Sequence, residues 1–157
     1  MAIKPLIKDT YLAVVKNSVG SKSFRNFYVL DGRKKIDIAE NGDLSCAWFV
    51  SVVLNLFDLI DAPHLTVDRV ERELKISGWR EISKPKPGAV IIWSPASSGK
   101  EALHRHIGFY VGSNKAISND SKYGYPAIHN WKFRKAKSSG SRAIEAILWN
   151  SKLDVVV

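Results

Sequence analysis

The segment LSCAWFVSVVLNLFDLI, residues 44–60, constrains the fold more than any other stretch of the chain. Apolar side chains at 46, 49, 50, 53, 54, 57 and 60 recur at helical spacing, so a helix is expected across it. That helix is apolar over much of its surface and must be buried. Asp43 or Ser45 stands where a cap belongs. A second, more polar helix is expected over Val67–Ile76, capped by Thr66 and stopped by Gly78, and a short one over Asp9–Lys16.

Beyond the turn cluster Lys84-Pro85-Lys86-Pro87-Gly88 the pattern changes to strands. AVIIW at 89–93 is a short apolar run suited to a buried strand, and HIGFYVG at 106–112 alternates. Further strands are expected at Lys115–Ser118, His129–Phe133 and Ala143–Trp149, and an extended segment at Phe24–Leu30. Helices first and closely spaced strands afterwards make an α+β fold, with N-terminal helices packed on a central antiparallel sheet. The length, 157 residues, suits one domain, with 1–40 as a lead-in segment and 41–150 as the core.

The single cysteine, Cys46, excludes an internal disulfide. It falls at the first turn of the buried helix, where the positive end of the helix dipole favours a thiolate. Unpaired backbone N–H groups there can also donate to an oxyanion. Position alone leaves a reactive thiol and a packed, inert one equally supported. His106 opens a strand and is the candidate base, which would take the thiol proton and return it to a leaving amine. A third polar group must orient the imidazole. Asn119, across the Gly112–Asn114 hairpin, is the first choice; Ser118, Asp120 and His129 are its rivals. Ser45 and Ala47 flank the thiol and are candidate oxyanion or substrate contacts, with Tyr28 reaching in from the lead-in segment. Trp131, beside Asn130 and a basic run, is a candidate groove wall. His104 and His106 at i, i+2 lack further ligands at suitable spacing, so neither a metal nor a cofactor is expected.

Three of these segments, LSCAWFVSVVL, KPGAVIIW and HIGFYVGSNKAISN, together resemble the NlpC/P60 and CHAP domains of the papain-like superfamily. The resemblance spans roughly residues 40–120. It implies a papain-like fold with Cys46 as nucleophile, His106 as base and a polar residue on the next strand as third member. It also implies hydrolysis of amide bonds in peptidoglycan, within stem peptides or between peptide and sugar. The chain departs from the pattern in three places. Ser45-Cys46-Ala47-Trp48-Phe49 stands for the common Asp-Cys-Ser-Gly-Phe, Ala89 for an acid after Pro-Gly, and Ser118 near a usual histidine.

Charge points to partners. Twenty-four Lys and Arg against 15 Asp and Glu give +9, which attracts polyanions. Lys132, Arg134, Lys135, Lys137 and Arg142 form a run without an acid, a candidate contact for an anionic polymer across 132–142. The competing function is therefore a non-catalytic module that binds wall polymer or nucleic acid, although no nucleic-acid motif is present. No apolar stretch reaches the ~20 residues of a membrane span, and residues 1–16 do not read as a signal peptide. A monomer is expected. It would be secreted or sit in the cell envelope if it is a wall hydrolase, and be cytoplasmic otherwise.

Overall fold

A computed structural model describes residues 2–97, 103–133 and 142–154. Three helices, α1 (Ile7–Asn17), α2 (Cys46–Leu56) and α3 (Val67–Ile76), precede most of the sheet. A separate hairpin, β1 (Tyr28–Asp31) and β2 (Lys34–Asp37), leads into α2. The main sheet holds β3 (Arg80–Glu81), β4 (Val90–Trp93), β5 (His106–Gly112), β6 (Lys115–Asp120), β7 (Tyr125–Asn130) and β8 (Ile144–Trp149). Its spatial order is β3-β8-β4-β5-β6-β7, and every pairing is antiparallel. The α+β architecture read from the order of segments is the one observed.

Strand alternation divides the sheet into two faces. Val90 and Ile92 of β4, Ile107 and Phe109 of β5 and Ile117 of β6 join α2 in the main core. Phe49 of α2 meets Phe109 edge-on at 5.5 Å, and Tyr11 of α1 meets Phe109 at 5.8 Å. On the other face Ile91, Trp93 and Ala116 make a smaller cluster with Tyr110, Trp131 and Phe133. His106 carries the parity of this second face.

Several boundaries differ from the sequence expectation, each for a physical reason. The helix expected over 44–60 stops at Leu56, because Asp58 takes a left-handed φ of 54°. The Leu59 N–H then returns to the Leu54 carbonyl at 3.0 Å. Leu59 and Ile60 are buried by this turn rather than by a continuing helix. The extended segment expected at Phe24–Leu30 begins as a 3-10 turn at Lys22–Phe24 and reaches the sheet geometry only at Tyr28. The strand expected at His129–Phe133 ends at Asn130, and the chain turns through 131–133. Helix α3 has the expected limits, with the Thr66 hydroxyl accepting from the Arg69 N–H.

One close approach places the start of α2. Gly42, with φ +95°, lies against Gly124 in the β6–β7 turn, where a Cβ would collide with the Gly124 backbone. Arg25 reinforces the approach by donating to the carbonyls of Tyr123 (2.8 Å) and Gly124 (3.3 Å). Gly42→Ala combines this clash with a strained φ and is expected to cost roughly 3 kcal/mol in urea unfolding. A loss below about 0.5 kcal/mol, the range of ordinary surface substitutions, would mean that the two loops part easily.

Candidate active site

Cys46 is the first residue of α2, half-buried, with Ser45 at the cap position. The Ser45 side chain makes no capping bond; its carbonyl accepts the Phe49 N–H at 2.9 Å and so begins the helix. Burial pushes the Cys46 thiol pKa up. The N–H groups of Ala47 and Ile107 and the charge of Arg142 pull the other way without overcoming it. The helix start therefore does not yield a resting thiolate, contrary to the expectation from the dipole alone: desolvation outweighs it. Alkylation of Cys46 by iodoacetamide is accordingly expected to rise with pH about a midpoint above the ordinary thiol value of about 8.5. A midpoint below that value would contradict this electrostatic balance.

The N–H of Ile107 ties the thiol to β5 at the residue next to His106. Cys46 and His106 line one cleft of about 630 Å³. The imidazole Nε2 of His106 shares a hydrogen bond of 2.9 Å with Ser118 Oγ. The same oxygen shares one of 2.7 Å with His129 Nε2. His129 Nδ1 in turn donates to the Asn130 carbonyl at 2.8 Å.

Asn119, the first choice for orienting His106, points to the other face. Its amide Nδ2 donates to the Gly42 carbonyl at 2.7 Å, holding the loop ahead of Cys46. The reason is a register shift. Gly112 pairs with Lys115, but Tyr110 pairs with Ala116 and Gly108 with Ser118, so an irregularity lies between Tyr110 and Gly112. A one-residue shift moves every later side chain to the opposite face. Ser118, a rival in the sequence, thereby takes the place beside His106, with His129 behind it.

The remaining candidates separate. Ala47 lines the cleft, and its N–H points at the thiol. The Ser45 side chain is fully buried with its hydroxyl unpaired, so substrate cannot reach it. Tyr28 stands in the β1–β2 hairpin outside the cleft lining, 56% exposed, with Lys35 Nζ 4.2 Å above its ring. Trp131 stands outside the lining of this cleft and is half-buried; it packs edge-on against Tyr110 at 5.7 Å, and its carbonyl accepts from Trp93 Nε1 at 2.8 Å. His104 is exposed and precedes the strand, so it shares no strand face with His106. Among the described residues no group of three His, Cys, Asp or Glu side chains could hold a metal ion. Nor, among them, is any helix long and apolar enough to cross a membrane.

Two arginines that the sequence did not mark as site residues complete the cleft. Arg142, counted in the basic run as a candidate polymer contact, is 7% exposed and donates to the carbonyls of Ser94 (3.0 Å) and His104 (2.8 Å). Its charge faces the cleft that holds Cys46. Of that run, Lys132 lies over Trp131, while 134–141 fall outside the described residues. Arg105 joins Asp68, Glu71 and Glu145 at 2.7–2.8 Å, pinning α3 and β8 beside the cleft. Nothing in local sequence marks either arginine, because their partners lie 34 to 48 residues away.

No family model matches the chain, and no curated protein matches it in sequence. Solved structures do. The structure of NlpC2 from Trichomonas vaginalis superposes with a TM-score of 0.54 at 14% identity, covering 94% of this chain. The chain spans 48% of the length of that protein. At this identity the likeness concerns the fold alone: among the described residues, three helices and a six-stranded antiparallel sheet arranged as in that NlpC2 structure.

Proposed function

We propose that this protein is a cysteine hydrolase that cleaves amide bonds by acyl transfer, with the peptides of peptidoglycan as its substrate class. The observation that carries the reading is a thiol at a helix start sharing one cleft with a hydrogen-bonded histidine. Because the thiol is neutral at rest, His106 acts as a general base at the moment of attack rather than as half of a standing ion pair. The Cys46 sulfur adds to the substrate carbonyl as its proton passes to His106. Backbone N–H groups of the first turn, those of Cys46 and Ala47, receive the oxyanion. His106 then protonates the leaving amine, and afterwards takes a proton from water as it releases the acyl group from sulfur.

The peptidoglycan assignment draws on the motif resemblance and on the net charge of +9, which suits an anionic wall. Work on a cell wall would place the protein in the envelope or outside the cell. The test is incubation with purified muropeptides, alongside unrelated peptides, and mass analysis of the products. Fragments differing by hydrolysis of one defined amide bond are expected from the muropeptides. Salt-sensitive binding to wall polymer or nucleic acid without any cleavage would favour the binding-module reading instead.

A further inference from the structure

We infer that His129, acting through the Ser118 hydroxyl, is a positioning residue that fixes the tautomer of His106 so that Nδ1 is the basic nitrogen. The inference rests on the hydrolase reading above for its role, though not for its geometry.

The direction of each proton follows from one fixed point. The Asn130 carbonyl can only accept, and it lies 2.8 Å from His129 Nδ1. That nitrogen therefore carries the proton. In neutral His129 the other nitrogen, Nε2, is then the acceptor. Its partner at 2.7 Å is Ser118 Oγ, so the serine hydrogen is committed to His129. A hydroxyl has one hydrogen, so toward His106 Nε2, at 2.9 Å, Ser118 can only accept. His106 must donate from Nε2, and its Nδ1 keeps the lone pair. The opposite sense would set the lone pair of His129 Nδ1 against that of a carbonyl.

The fixed point is itself built in. The Asn130 carbonyl also receives the Phe133 N–H at 2.9 Å, closing the turn after β7. Phe133 takes a left-handed φ of 49° there and stacks on His129, centroids 4.1 Å apart. Trp93 contacts both imidazoles, at 5.7 Å from His106 and 5.6 Å from His129, and its Nε1 holds the Trp131 carbonyl of the same turn. Two aromatic walls and a turn carbonyl thus hold a two-histidine, one-serine chain in a single sense. In a simpler arrangement one acceptor beside His106 would suffice; here Ser118, which can donate as well as accept, needs His129 to set its direction.

The test is ring-nitrogen NMR of the four histidines at about pH 8, above the ordinary imidazole pKa. His106→Ala assigns the His106 signals. The wild-type protein is expected to show His106 protonated on Nε2 and His129 on Nδ1. In His129→Leu, Ser118 is released to donate to His106, whose proton is expected to move to Nδ1. His129→Gln supplies a carbonyl acceptor and is expected to restore the Nε2 form. On a cleaved substrate, kcat is expected to fall on the order of 10²-fold in His129→Leu, with KM little changed, and to recover in the Gln variant. Should His129→Leu fail to fold, Ser118→Ala is expected to release His106 into a mixture of tautomers. A wild-type His106 protonated on Nδ1, or a tautomer indifferent to these substitutions, overturns the inference. The expected tautomers without amide cleavage by the wild type would uphold the relay and refute the hydrolase reading. Cleavage with the opposite tautomer would refute the relay alone.

Discussion

Cys46→Ala is expected to abolish amide cleavage, by 10³-fold or more on the order seen when a nucleophile is removed, while the fold survives. The asymmetry follows from the site. Cys46 is half-buried at the start of α2, and its sulfur meets backbone N–H groups rather than filling a core position. Alanine keeps the helix propensity and removes one atom from a cleft wall. Thermal unfolding midpoints of the two proteins should therefore agree within a few degrees, while the product assay separates them. A variant that lost stability and activity in parallel would mark Cys46 as a packing residue.

Trp93→Ala carries the largest expected stability loss, about 3–5 kcal/mol for a fully buried aromatic. The loss has two parts. A large cavity opens between β4 and the turn after β7, and the Trp131 carbonyl loses the N–H that holds it at 2.8 Å. Trp93→Phe keeps most of the volume and gives up only the hydrogen bond, at about 1 kcal/mol. Urea unfolding of the pair separates the terms. Because Trp93 also walls in His106 and His129, residual activity in the folded fraction of Trp93→Ala is expected to fall as well. Full activity per folded molecule would mean that the imidazoles hold their places without it.

Which parts of this site could be read from sequence depends on how far the determining contacts lie along the chain. Cys46 at a helix start and His106 at a strand start are local facts of pattern, and both elements form at those positions. Helix α3 has its cap, its periodic face and its terminal glycine within a dozen residues, and its limits were legible. Asn119 against Ser118 was not a local question. Regular pairing from the hairpin would put Asn119 beside Gly108 and on the His106 face. The irregularity between Tyr110 and Gly112 substitutes Ser118, and no residue type there announces it. Arg142 was misread for a similar reason. Its neighbours in sequence are basic and polar, but its partners, the Ser94 and His104 carbonyls, come from distant loops. The charge of the thiol was not legible, because the helix dipole is visible in sequence and the burial that opposes it is not.

In the proposed reaction Cys46 forms a covalent acyl intermediate with His106 as its base. The most direct measurement is acid-quenched mass spectrometry of the protein during turnover of a muropeptide it cleaves. The predicted result is a substrate-derived acyl group on the peptide containing Cys46, absent in Cys46→Ala and much reduced in His106→Ala. Steady hydrolysis with no adduct on Cys46, and undiminished in Cys46→Ala, would contradict it.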